Sequence, residues 1–463
     1  MESIFEWIVA INDAINDFVW GVPCIVLLIC TGLFCTIRFG FFQFRHPVFL
    51  FKETVVKAFK KKNEVDQKPG EITSFQAAMT SVGAIVGSGN IAGVATAIVA
   101  GGPGAVVWML IAALLGMATK FAEVTLGIKY RKVRENGSVG GGAMYYLAQG
   151  LKQKWLGIVF SVLVIPYAFV ISAVVDTNTI ALSVADQFAV PTWITGLVLT
   201  VVTGIIIFGG IKRIGKASEV VAPFMGIAYI LAGLIVIVLN ITQVPAAIGL
   251  ILKEAFTFRA AAGGTVGTIF LAMRYGIARG IFSNEAGAGT AAMVHCGAKV
   301  DHPVEQGLWG AVEVFLDTVL VCSVTALTIV LSGLWSGAGD DVDGAVLTMR
   351  AFELMLPGKI GTWICLAAVV LFGFTCLISF YTYAERAAVY IFGEKSRFWV
   401  KLAWLVMIFI GSQTTLGFAW DLADTINGLM IIPNLIGIIL LSGQVAKLKK
   451  EYFGERLPAR KQK

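Results

Sequence analysis

Charge is scarce in this sequence. Asp, Glu, Lys and Arg make up only 14% of its 463 residues, while 57% are hydrophobic. A soluble chain of this length could not cover so apolar a surface. Histidine is scarcer still: His46, His295 and His302 are the whole supply. All three fall near one face of the expected membrane arrangement, so a His metal site is not expected. The seven cysteines are scattered, mostly within apolar stretches, and none forms a CxxC pair. They are packing residues in this reading, with no disulfide framework and no zinc site. The first residues, Met1 to Asp17, hold acidic groups but no Lys or Arg. The basic region of a cleavable signal is therefore missing. No nucleophile–base pair or metal cluster is visible, which argues against an enzyme. No continuous charged or carbonyl-lined pore is visible either, which argues against a channel.

What the sequence does have is apolar runs of about 20 residues or more, the length that crosses a bilayer. Eleven spans are predicted, near 18–38, 72–99, 104–128, 156–186, 191–211, 220–240, 264–297, 306–332, 360–385, 399–417 and 422–444. The net charge is +7, a balance that can signal nucleic-acid binding, but its placement is topological. Of the 36 Lys and Arg, 29 fall in alternate loops and the C-terminal tail. The opposite loops hold only Lys253, Arg259, Arg350 and Lys359. That bias predicts an outside N-terminus and a cytoplasmic C-terminus, with the lipid bilayer rather than nucleic acid as partner. The longest stretch outside the spans, about Phe39 to Glu71, reads as a basic amphipathic interfacial helix, its tract Lys57 to Lys62 at the anionic leaflet. No such stretch is long enough for a second domain. The single domain then runs as a peripheral span (18–38), a first repeat (72–240), a second repeat (264–444) and a tail (445–463).

Two spans are interrupted by glycine. The second contains "GAIVGSGNIAG" (Gly83 to Gly93) and the seventh "YGIARGIFSNEAGAGT" (Tyr275 to Thr290). They lie five spans apart, so they cross in opposite directions. Spans two to six and seven to eleven then form an inverted pair of five-helix units, each opening on a broken helix. Such a pair is the best sequence pointer to a secondary transporter's binding site. Unwinding frees N–H and C=O groups that hydrocarbon cannot solvate. The half-helix after the break offers N–H groups to a carboxylate, and the half-helix before it offers carbonyl oxygens to a hard cation. Gly87 and Gly89 permit close backbone approach, with Ser88 and Asn90 as polar groups beside them. The competing reading makes these glycines packing contacts, which the four-residue spacing of Gly83 and Gly87 also fits.

In span seven, Gly276 and Gly280 bracket the expected break, placing Gly276 and Ile277 at the substrate. Lys120, Glu123, Arg279 and Glu285 form a candidate inner gate or structural ion-pair network, in preference to a proton relay. In span four, Asn178 is a candidate substrate contact. Asp176 either neutralises an amine or cation or lies near the outer, wetter end. In span nine, Thr375 is a candidate cation ligand, or else bonds its own helix. Phe380 is a candidate pocket wall. Asp317 and Asp424 carry no assigned role. "GIKRIGKAS" (Gly210 to Ser218) has phosphate-loop spacing, but Ala217 replaces the Mg²⁺-binding hydroxyl and no strand precedes it. "GGTVGT" (Gly263 to Thr268) starts a span, so it is no potassium filter.

The segments "GSGNIAGVATAIVAGGPGAVVWM" (Gly87 to Met109), "GMATKFAE" (Gly116 to Glu123), "GGAMYYL" (Gly141 to Leu147), "RGIFSNEAGAGTA" (Arg279 to Ala291) and "WDLADTINGLMIIPNLI" (Trp420 to Ile436) together resemble the alanine or glycine:cation symporter family, over nearly the whole chain. The resemblance implies an all-α polytopic protein with a LeuT-type inverted repeat. It also implies uptake of alanine or glycine driven by Na⁺, with H⁺ the alternative coupling ion and no organic cofactor. Gly87, Ser88 and Gly89 would line the substrate site, and Asn178 would match a pocket asparagine. Carbonyls near Gly83 and Val86, with Thr375, would meet sodium. The chain departs from the family pattern at four positions. Thr is usual at Ile85 and Cys376, Gln at Asp176 and Trp at Phe380. The smaller Phe380 enlarges the pocket wall, which extends the expectation to somewhat larger neutral amino acids.

Overall fold

A computed structural model describes residues 2–60, 70–134, 137–257, 268–337, 344–414 and 417–457. The chain folds into helices, with four two-residue strands. Helices α1 (Glu2–Val19) and α2 (Val22–Arg38) meet at a 40° bend, where Pro23 sits in the first turn of α2. Short helical segments fill 42–60, burying Phe42, Leu50 and Thr54 against the protein. Lys57 there pairs with Glu305 at 2.6 Å. The remainder of the basic tract predicted to be interfacial lies outside the described residues.

The first repeat begins with β1 (Ile72–Thr73) and α3 (Ser74–Ile85). Its start is fixed by a capping box: Thr73 Oγ1 accepts from Gln76 N, and Gln76 Oε1 accepts from Thr73 N, both at 3.1 Å. The chain leaves the helix at Val86 and re-enters it as α4 (Gly89–Gly101), bent by 50°. Next come α5 (Ala105–Lys129), a hairpin of β2 (Lys132–Val133) and β3 (Val139–Gly140), and α6 (Lys154–Phe188). The repeat ends with α7 (Thr192–Ile207) and α8 (Gly210–Leu239), followed by the short α9 (Val244–Ala255). The phosphate-loop look-alike is the first part of α8.

The second repeat has the same order. Helix α10 (Thr268–Asn284), a break and α11 (Ala291–His295) lead to β4 (Ala298–Lys299) and then α12 (Pro303–Ser332). The short α13 (Gly344–Met355) precedes α14 (Ile360–Phe392), α15 (Ser396–Gly411) and α16 (Gly417–Arg456). Strands β1 and β4 pair in parallel, Ile72 opposite Ala298. The start of α3 and the end of α11 therefore share one face of the molecule, and the two broken helices run in opposite directions, as expected of inverted repeats.

Helices occupy all eleven predicted windows. Among the described residues, six helices are individually long and apolar enough to cross a membrane, and up to eight if each of two bent pairs counts as one span. Thr192–Ile207 is apolar but shorter. The filter look-alike before Thr268, the start of the seventh window and residues 415–416 of the tenth lie outside the described residues.

The second break is not where Gly276 and Gly280 suggested. Helix α10 runs unbroken to Asn284, and the chain unwinds over 285–290. Gly276 and Gly280 are there for packing: a Cβ at Gly276 would lie 2.2 Å from the Ala105 carbonyl, and one at Gly280 3.0 Å from Met109 Cγ. They let α10 approach α5 closely. The unwound residues instead use left-handed backbone, at Glu285 (φ 53°), Gly287 (φ 100°) and Gly289 (φ 82°).

Candidate functional site

The first break opens onto a small cavity. Ala84, Ile85, Gly87, Ser88 and Gly89 form one wall. Tyr167, Ile171 and Asp176 of α6 form the second, Phe282 and Glu285 the third, and Cys376 and Phe380 of α14 the fourth. A Cβ at Gly87 would lie 2.5 Å from Cys376 Sγ, so glycine is what lets α14 close on the break. Phe380 packs its ring on Tyr167 and Tyr383, with centroids 5.9 and 5.0 Å apart.

Four candidate substrate residues do not line this cavity. Asn90 points behind the break: its Oδ1 accepts from Gly87 N at 2.8 Å, and its Nδ2 donates to Asp317 Oδ1 at 2.7 Å. It holds the unwound backbone in place of the helical bonds that are lost there. Asn178 donates to the carbonyls of Gly411 and Thr414 at 3.1 and 2.6 Å, and so caps the end of α15. Gly276 packs on Ala105, and Ile277 beside it is buried away from the cavity.

The candidate cation residues divide as well. Thr375 donates to Leu371 O (3.1 Å) and Phe372 O (2.9 Å) of its own helix, the bland alternative for a helical threonine. Gly83 does face this helix, since its Cβ would meet Thr375 Cβ at 3.1 Å and Ser379 Oγ at 3.4 Å. Cys376 Sγ lies 3.2 Å from Ala84 O and 4.0 Å from Val86 O. Ser379 was not singled out in the sequence. Its hydroxyl is buried and has no hydrogen-bond partner among the described residues.

Direct hydrogen bonds and ion pairs do not join the four residues of the proposed ion-pair network to one another. Lys120 donates to Asn284 O at 2.7 Å and lies 3.8 Å from Glu313. Glu313 also accepts from Ser81 at 2.8 Å and lies 2.8 Å from His295 Nε2. Glu123 Oε1 accepts from Gly287 N (2.7 Å), Gly289 N (3.3 Å) and Asn434 Nδ2 (2.8 Å), capping the second break. Glu285 accepts from Tyr167, Thr290 and Tyr383 at 3.2, 2.7 and 3.3 Å. Arg279 pairs with Asp424, near the start of α16, at 2.8 Å. Its guanidinium also sits over Phe282, which stacks near Trp420. Beside the start of α3, Arg386 pairs with Glu71 at 2.7 Å and Arg397 with Glu385 at 2.8 Å.

A cavity at a break between two half-helices is a common place for a transporter's binding site. Comparison with known proteins agrees. Residues 5–463 match the model of the sodium:alanine symporter family. The chain belongs to that family. The sodium/alanine symporter AgcS of Methanococcus maripaludis is 42% identical over 96% of this chain and 97% of its own. The amino-acid carrier protein AlsT of Bacillus subtilis is 38% identical over 98% and 94%. Among solved structures, MhsT in complex with L-phenylalanine superposes with a TM-score of 0.60 at 14% identity, covering 83% of this chain and 93% of that one. This likeness gives the fold, which is that of the LeuT-type transporters. The sodium:alanine symporter family consists of membrane transporters, and this member is accordingly a multi-pass transporter rather than an enzyme.

Proposed function

We propose that this chain is a secondary symporter that imports a small neutral amino acid, alanine or glycine, together with Na⁺ across the plasma membrane, its N-terminus outside and its C-terminus in the cytoplasm. The cavity at the first break carries the proposal: it is small, mostly apolar, and built on the unwound backbone at Gly87 with Ser88 and Gly89 at the start of the half-helix that follows. The substrate would bury its side chain against Ile85, Phe282 and Phe380 and present its charged end to the break. Sodium would sit at the end of α3 on the carbonyl oxygens near Gly83 and Val86, facing α14. Hard cations prefer oxygen ligands, so Ser379 and Thr375, rather than the Cys376 thiol, would supply side-chain oxygens. A carrier of a larger neutral amino acid is the second reading, favoured by Phe380.

Binding of alanine to purified protein, followed by calorimetry in Na⁺ and in choline, tests this proposal. Binding in Na⁺ that weakens at least about tenfold in choline, a difference of about 1.4 kcal/mol, is the expected result; equal binding in both would remove sodium from the site. Ser379→Ala should raise the Na⁺ concentration for half-maximal uptake several-fold with little change in the melting temperature. An unchanged Na⁺ dependence would remove Ser379 from the site. Phe380→Trp fills part of the cavity and should lower competition by valine or methionine about tenfold relative to alanine, within the usual worth of a methylene or two in an apolar pocket. Unchanged competition would show that Phe380 does not set the size limit.

A further inference from the structure

At each break a buried carboxylate of the protein itself accepts hydrogen bonds from the chain that follows the end of the helix. At the second break that group is Glu123, held by two backbone amides and Asn434 and absent from the cavity wall. At the first break it is Asp176 of α6. Ser88 Oγ donates to Asp176 Oδ1 at 2.6 Å. Unlike Glu123, Asp176 forms part of the cavity wall. It therefore stands on the donors that a substrate carboxylate would use.

Asp176 is buried with no basic side chain among the residues that line the cavity. The titratable groups that face it are Cys376 from α14, Tyr167 from its own helix and Glu285 across the cavity. From α16, Asp424 is nearest and is engaged by Arg279. On α15 the ionisable residues, Arg397 and Lys401, lie at the opposite end, one on Glu385 and Glu394 and the other over the Phe208 ring. Nothing in this set neutralises a second carboxylate. Two carboxylates sharing one set of donors cannot both stay ionised at low cost.

We propose that Asp176 is a tethered competitor for the substrate's carboxylate: it caps Ser88 in the empty site and gives up that seat, taking a proton from solvent, when an amino acid loads. The inference rests on the cavity being the amino-acid site. One proton is gained by Asp176 for each carboxylate seated and is returned when the substrate leaves. Ionised Asp176 opposes loading, so affinity falls as pH rises.

The test is the affinity of the full-length protein for alanine at saturating Na⁺, measured from pH 5.5 to 8.5 in wild type and in Asp176→Asn, with Asp176→Gln as second variant. Wild-type affinity should weaken about tenfold across this range. Asn and Gln cannot ionise, so both variants should bind at least as tightly as wild type at its most acidic point and show a flat profile. A flat wild-type profile, or variants that keep the wild-type pH dependence, overturns the proposal. Failure of wild type to bind alanine, glycine or a larger neutral amino acid at any pH would instead overturn the substrate reading beneath it.

Discussion

Asp317→Leu should abolish uptake. Asp317 is fully buried in α12, directly behind both breaks. Its Oδ1 accepts from Asn90 of the first break, and its Oδ2 accepts from Ser283 at the end of α10 and from Thr318, at 2.7, 2.8 and 2.7 Å. Asn90 in turn holds Gly87 N. One carboxylate thus fixes the unwound backbone of one repeat and the end of the broken helix in the other. Leucine would take the oxygen acceptor from three buried donors, leaving Asn90 and Ser283 only the weak Cys322 Sγ, at about 1–3 kcal/mol for each donor left unsatisfied, where no water replaces the bond. The expected outcome is a loss of at least about a hundredfold in uptake together with a clear drop in melting temperature. Asp317→Asn, which retains the shape and one acceptor oxygen, should fall between. Uptake by Asp317→Leu within a few-fold of wild type would show that the two breaks do not need this link.

Gly89→Leu should remove substrate binding and leave the fold intact. Gly89 does not occupy a left-handed conformation, so its backbone accepts a side chain. A Cβ there would touch Phe282 Cδ1 at 3.4 Å, an ordinary contact, with the rest of the leucine projecting into the cavity. Affinity should drop at least about a hundredfold, or about 2.8 kcal/mol, with a melting temperature near that of wild type. Normal affinity in a folded variant would move the substrate elsewhere.

The architecture was legible because hydropathy and glycine placement act locally. Apolar runs located the helices, and "GAIVGSGNIAG" marked a true break, since glycine and asparagine weaken a helix wherever they cluster. The second break was misplaced by six residues or more because Gly276 and Gly280 carry the same local cost while serving close packing against α5. Its real signal was "AGAG" after Glu285, where positive φ is needed. Side-chain direction was much less legible. Asn90 and Asp176 are equally polar in sequence, yet only Asp176 reaches the cavity, while Asn90 turns to α12. The charged residues misled for a related reason: Lys120, Glu123, Arg279 and Glu285 find their partners on α10, α12, α16 and the unwound segment, and partners distant in sequence leave no mark on local spacing. Ser379, one turn beyond Thr375, gave no signal at all. Its role follows only from its unpartnered hydroxyl beside Gly83.

The central claim is cation-coupled transport of a small neutral amino acid through the cavity at the first break. Proteoliposomes holding the purified protein test it most directly, by the uptake of labelled alanine and glycine under an imposed Na⁺ or H⁺ gradient. The account predicts accumulation above equilibrium when Na⁺ is driven inward, lost when the gradient is collapsed and lost in Gly89→Leu. Accumulation of neither amino acid under either gradient would contradict it.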